Sequence, residues 1–180
     1  MNLDIWYILF LSIPAFLGNS APVFVAKLPY LRNWDTPIDG GKTFRNKPIL
    51  GKNKTWRGFF AAGFFGLLGG GFMLWMDLQI TQYELFPAST TYLTYGMLCG
   101  FAAISGDVIE SFAKRQLNIA SGNPWIPFDY IDYIVTFLPI SALWITWTWP
   151  EAIFLLVFVC ILNPISNFIG WCIGIKKTWK

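Results

Sequence analysis

The sequence predicts an all-α integral membrane protein: five transmembrane helices joined on one side by two cytoplasmic loops rich in charge and on the other by short, plain connections. Three observations carry this. Hydrophobic residues are 55% of the 180 and aromatic residues 19%, against 13% charged, a balance well outside that of soluble domains; the mean hydropathy is +0.50. Five stretches, 3–26, 59–76, 91–109, 131–149 and 152–175, are apolar enough to cross a hydrocarbon core about 30 Å thick, which takes roughly 20 residues. With that arrangement all 13 Lys and Arg fall on a single side.

The first stretch has no cation ahead of its apolar run and no small-residue cleavage site, so it reads as a retained span and not a removed signal peptide. Pro14 and Pro22, with Asn19 and Ser20 between them, are expected to break its helix, leaving either a kinked packing helix or one wall of a polar cavity. Gly66 and Gly70 in the second span allow close helix approach, either within the bundle or across a homodimer interface. The third span continues beyond the membrane as a helix, because Asp107, Glu110, Ser111 and Lys114 recur at i, i+3, i+4 and i+7 and share one face. Asn163, Pro164, Ser166 and Asn167 repeat the polar interruption in the last span. Cys99, Cys160 and Cys172 lie within spans without metal-ligand spacing and read as packing residues. Residues 1–180 form one multi-pass domain.

Eight cations lie between Lys27 and Arg57, two more are Lys114 and Arg115, and the last three are Lys176, Lys177 and Lys180. The opposite connections hold Asp4, Asp77, Glu84 and Glu151 and no cation. By the positive-inside rule the basic side is the cytoplasm, which places the N-terminus outside and the C-terminus inside the cell membrane. The loop at 28–57 is rich in Pro, Gly and Asn, a composition that favours turns over regular structure.

A carboxylate at the edge of a span demands a cation or a wet cleft, and Asp107 is such a group. Asp129 and Asp132 open the fourth span at i, i+3. Together the three could hold Mg2+ through oxygen ligands and leave coordination sites for phosphate; the alternative is that each caps a helix or pairs with a nearby cation. Gly51 with Lys52, Lys54, Thr55 and Arg57 resembles a phosphate cradle, the alternative being a basic anchor for anionic head groups. The P-loop pattern is absent. The chain has no histidine, which excludes Ser-His and Cys-His nucleophiles and His-ligated zinc. Phosphoryl or nucleotidyl transfer remains, since it needs mainly positioning, metal and positive charge.

The segments PIDGGKTFRNKPILGKNKTWRGF and GDVIESFAKRQLNIASGNPWIPFDYIDY resemble the two cytoplasmic signatures of the CDP-archaeol synthase family. The second is also similar to the bacterial CDP-diacylglycerol synthase signature at Ser111, Lys114, Arg115, Asp129 and Asp132. It lacks that signature's histidine and paired glycines and has Asn123-Pro124-Trp125 instead, which points to the archaeol-type branch. The resemblance implies a nucleotidyltransferase whose active site is built by the two cytoplasmic loops. Its partners are CTP, the bilayer and a phosphorylated membrane lipid of the geranylgeranyl glycerol ether type. The products are a CDP-lipid and pyrophosphate, the cofactor is Mg2+, and no nucleic-acid partner is expected.

At matching positions the resemblance implies catalytic roles for Lys114, Arg115 and Asp129 and metal binding by Asp107, Asp129 and Asp132. Lys52, Lys54 and Arg57 would join Lys114 and Arg115 in neutralising the phosphates, and Asp39, Lys42, Asn53, Thr55, Glu110 and Ser111 would belong to the same substrate-binding cleft. The rival readings are the same chemistry on phosphatidic acid, and a non-catalytic carrier or binder of anionic lipid.

Overall fold

The computed structural model describes residues 4–81 and 83–174. Residues 3 and 175 at the ends of the outer spans, and the cations Lys176, Lys177 and Lys180, lie outside the described residues. The elements are α1 (Ile5–Val25), β1 (Thr43–Phe44), β2 (Lys47–Pro48), α2 (Trp56–Met76), α3 (Ser89–Gln116), α4 (Phe128–Ser141) and α5 (Trp149–Cys172). The five helices form one bundle. Four of them, α1, α2 with the π turn that follows it, α3 and α5, are long and apolar enough to cross a membrane.

Helix α4 has 14 residues, about 21 Å at 1.5 Å per residue. It starts before the expected fourth span and stops well short of its end, and Trp149, expected to close that span, opens α5. The cause is a local start signal. Glu151 accepts from both the backbone N–H and the hydroxyl of Thr148, each at 2.8 Å, and Pro150 sits in the first turn where its missing N–H costs nothing. The intervening non-helical backbone is packed against the bundle, with Ile145 buried and the Trp147 indole donating to Ser141 Oγ at 2.8 Å.

Glycines set how close the helices come. A Cβ at Gly66 would run into Gly100 and the Gly96 carbonyl of α3, so this small-residue pair serves packing inside the bundle. Helix α1 continues through Pro14 and Pro22 without the expected break. Both prolines face glycines of α2: a Cβ would lie 2.8 Å from Pro14 Cα at Gly69 and 3.2 Å from Pro22 Cβ at Gly58. On the far side of α3, Gly106 lets the backbone of α4 approach so closely that a Cβ would strike the Asp132 carbonyl. That approach brings the start of α4 beside the last two turns of α3.

The loop between α1 and α2 holds more regular structure than its composition suggests. Thr43 pairs with Pro48 and Phe44 with Lys47 in an antiparallel hairpin, turned by Arg45 and Asn46 at φ 53° and 61°, the left-handed pair a two-residue hairpin requires. Lys47 Nζ donates to the Gln116 carbonyl at 2.5 Å, so a cation caps the C-terminus of α3 and ties the hairpin to it. At the opposite end of the bundle, the buried Asp77 accepts from the Thr81 and Tyr92 hydroxyls and from the backbone N–H groups of Tyr83, Glu84 and Leu85, which closes the turn between α2 and α3.

Candidate active site

The last two turns of α3 place Asp107, Glu110, Ser111 and Lys114 on one face, and all four line a cavity of about 290 Å³ at the loop-rich end of the bundle. Asp129 and Asp132 enter from the first turns of α4, and Asn53 and Lys54 from the loop before α2. Carboxylate oxygens of Asp107, Glu110 and Asp132 lie within 4.8 Å of one another. Like charges so close cannot all remain ionised without a cation among them. Two ammonium groups supply part of that charge: Lys54 Nζ stands 2.6 Å from Asp107 Oδ1, and Lys114 Nζ lies 3.0 Å from Glu110 Oε1 and 2.9 Å from Asp129 Oδ1. The donor set is all oxygen, which suits a hard divalent cation.

The grouping differs from the expected one in a single residue. Glu110, read from the sequence as a substrate-side group, stands with Asp107 and Asp132. Asp129 stands at the edge of the trio, its carboxyl in hydrogen-bond contact with that of Glu110; one of its oxygens accepts from Lys114 and the other from the Trp125 N–H at 2.9 Å. Asp129 therefore holds Lys114 in place and fastens the second loop to α4.

Arg115 is 8% exposed, and its Nε is buried with no hydrogen-bond partner among the described residues. A buried donor left without a partner is costly, and the planar fork of a guanidinium matches phosphate oxygens in a bidentate manner. It borders both the carboxylate cavity and a more open one of about 740 Å³, which also share Asn53 and Ser121. Asn53 Nδ2 donates to Ser121 Oγ at 3.1 Å, tying the two loops together between the cavities. Lys52 is exposed on the rim of the larger one.

The remaining candidates are built into the loop. Asp39 accepts from the N–H groups of Gly41, Leu50 and Gly51 at 2.9, 2.8 and 3.2 Å. Partial burial pushes its carboxyl up, but these three bonds outweigh that and hold it below the usual range. Thr55 caps α2 by accepting from Gly58 N. Arg57 Nη1 donates to the Leu31 and Arg32 carbonyls at 2.8 and 3.0 Å, and neither cavity is lined by Arg57, Thr55, Asp39 or the exposed Lys42. Ser111 lines the carboxylate cavity beside Glu110. Sequence reasoning did not assign Ser121, Asn123, Tyr130 or Asn167 to the site, yet all four line this cavity. The breaker run at 120–129 and the polar interruption of α5 were their visible signals, and neither specifies which way a side chain faces.

A family model described as CarS-like: CDP-archaeol synthase matches residues 1–180. Relatives named CDP-archaeol synthase include that of Thermococcus gammatolerans, 32% identical over 178 residues, with 96% of this chain and 92% of the relative covered. The protein of that name from Methanoculleus marisnigri is 34% identical over 172 residues, with 92% and 98% covered. A solved chain, described as an intramembrane enzyme for archaeal membrane lipids biosynthesis, superposes with a TM-score of 0.77 at 25% identity, covering 92% of this chain and 95% of that one. The match runs from end to end, through both loops and all the helices that carry the carboxylates and Arg115, and on that ground the chain belongs to the CDP-archaeol synthase family.

Proposed function

We propose that the chain transfers CMP from CTP to the phosphate of a membrane-embedded glycerol ether lipid, giving CDP-archaeol and pyrophosphate, at the cavity between α3 and α4. The observation that carries this is the meeting, at one mouth, of three clustered carboxylates with the largely buried Arg115, whose Nε has no partner among the described residues. An oxygen of the lipid phosphate attacks the α-phosphorus of CTP, the bond from that phosphorus to the β-bridging oxygen breaks, and pyrophosphate leaves with the electron pair. No general base is needed, because the attacking phosphate is already ionised near neutral pH.

Asp107, Glu110 and Asp132 are the residues that would hold Mg2+, which supplies charge neutralisation to the phosphates when bound. Arg115 grips phosphate oxygens from its place between the two cavities. Lys114, held by Asp129 and Glu110, presents its ammonium to the same space, and Lys54 reaches it from the first loop. The basic face lies in the cytoplasm, where CTP is found, and the N-terminus outside the cell membrane, a reading supported by the one-sided cations.

The test is reconstitution of the protein with labelled CTP, Mg2+ and either an ether-linked isoprenoid glycerol phosphate or phosphatidic acid. A CDP-lipid with equimolar pyrophosphate is expected, with the ether substrate preferred. Absence of product from both lipids would overturn the reading, and equal or better use of phosphatidic acid would overturn the ether assignment.

A further inference from the structure

The loop-rich end of the bundle carries a second basic surface, on its outer wall and away from both cavities. On α2, Phe60, Phe64, Leu68 and Phe72 recur at every fourth residue and are exposed, while Gly66 and Gly69 of the same helix pack on α3 and α1. An exposed apolar ridge along a membrane-crossing helix faces hydrocarbon. At its loop-side end the ridge passes into a column of rings: Trp34 stacks on Phe60 with centroids 6.1 Å apart, and Phe60 stacks on Trp56 at 5.9 Å. Tryptophans favour the boundary between hydrocarbon and head groups, so the column marks the depth of that boundary.

Trp34 reaches this column because of the turn before it. After α1 the chain winds through residues 28–34, with the Leu31 and Arg32 N–H groups donating to the Leu28 carbonyl at 3.1 and 2.9 Å and the Trp34 N–H to the Leu31 carbonyl at 3.1 Å. Arg57, in the first turn of α2, holds the turn through its bonds to the Leu31 and Arg32 carbonyls, and its Nε is buried without a hydrogen-bond partner among the described residues. Two neutral carbonyls leave its positive charge uncancelled. Outward, the turn presents the exposed Lys27 and Arg32, with Tyr30, 98% exposed, between them. The ion pairs of the described residues are made instead by Lys54 and Lys114. The adjacent carboxylate, Asp35, is exposed, and against Lys27, Arg32 and Arg57 it leaves the patch net positive. None of these residues lines either cavity. Cations just beyond the hydrocarbon boundary, with aromatic rings at it, have the chemistry of an interfacial anchor.

We infer that the turn at 27–34, together with the first turn of α2, is a docking site for the head groups of anionic phospholipids of the surrounding bilayer, separate from any lipid consumed in the reaction. Lys27 and Arg32 take phosphate oxygens, and Tyr30, Trp34 and Trp56 settle at the level of the glycerol and the upper chain carbons. A zwitterionic choline head group brings a cation of its own and gains less from a positive surface. The inference stands independently of the proposed transfer reaction.

The experiment uses native mass spectrometry of the full chain to count bound phosphatidylglycerol and phosphatidylcholine. Both are phosphodiesters and lack the monoester phosphate that a transfer substrate needs. Wild type is compared with Lys27→Gln/Arg32→Gln and with a charge-matched control on the hairpin, Lys42→Gln/Arg45→Gln; all four side chains are exposed, so the fold does not depend on them. Each cation near an anionic surface is worth roughly fivefold in affinity. Lys27→Gln/Arg32→Gln should therefore bind its first phosphatidylglycerol roughly ten- to thirtyfold more weakly and the control less than about threefold, with phosphatidylcholine binding unchanged in both. In vesicles of equal phosphatidylglycerol and phosphatidylcholine, Tyr30→benzoylphenylalanine should form a photoadduct mainly with phosphatidylglycerol. Undiminished phosphatidylglycerol binding by Lys27→Gln/Arg32→Gln, an equal loss in the hairpin control, or no lipid adduct at residue 30 would each overturn the site. Adducts shared equally between the two lipids would overturn its preference for anionic head groups.

Discussion

Lys54 Nζ stands 2.6 Å from Asp107 Oδ1, so a cation from the first loop rests on a carboxylate of the clustered trio. The ammonium faces both the carboxylates and the space where phosphates would lie. Lys54→Met should lower CTP affinity by roughly tenfold, as expected for losing a charge-assisted contact. It should also raise affinity for Mn2+ in the absence of CTP, because Asp107 loses its competing cation. Titration calorimetry for CTP and Mn2+ paramagnetic resonance read the two effects separately.

Exchanging Asp129 and Glu110 for their amides separates their roles. Glu110→Gln should weaken Mn2+ binding, because Glu110 stands with Asp107 and Asp132. Asp129→Asn should weaken Mn2+ binding less than Glu110→Gln and lower kcat, because it loosens Lys114 and meets the trio only through Glu110. Equal loss of Mn2+ in both variants would restore Asp129 to the metal set.

Arg115→Met should move stability and activity in opposite directions. Removing a largely buried charge whose Nε has no partner should raise the thermal unfolding temperature of the ligand-free protein. Turnover should fall by at least about a hundredfold, the scale of losing one or two charge-assisted phosphate bonds. Arg115→Lys should recover only part of that, since an ammonium lacks the planar fork.

Gly106→Ala puts a methyl group into the Asp132 carbonyl and 2.5 Å from Thr136 Oγ1. Overpacking of this kind costs about 1–3 kcal/mol. Because the same contact sets the separation of Asp107 and Asp132, Mn2+ affinity should fall along with the melting temperature. A variant that melts early but binds Mn2+ normally would show that the trio does not depend on this helix approach.

The first loop should loosen in acid. The Asp39 carboxyl is held below its usual range by three backbone N–H groups. A depressed folded-state pKa contributes stability that is fully present above the unfolded value, about 3.9, and is lost as pH falls through the folded one. Hydrogen exchange at the Leu50 and Gly51 amides should therefore show no change in protection between neutral pH and about pH 5, with opening only below the unfolded value. Asp39→Asn should show that opening already at neutral pH.

The sequence by itself determined that there are five helices and roughly where most of them lie, because the length of an apolar run and the 3.6-residue period are local properties of the chain. It likewise determined that Asp107, Glu110, Ser111 and Lys114 share a face, and that charge gathers at one end of the bundle. Only the tertiary structure decided where α4 stops, because the apolar pattern runs on past Ser141 and the backbone that leaves the helix there is held by packing, with Ile145 buried and Trp147 bonded back to Ser141. It also decided that Glu110 joins Asp107 and Asp132 while Asp129 holds Lys114, that Arg57 grips loop carbonyls, and that Arg115 stands between two cavities. Spacing along one helix says which side chains point the same way. How near they come to groups on another helix depends on the glycine contact at Gly106 and on the path of two loops, and neither is a property of any short stretch of chain.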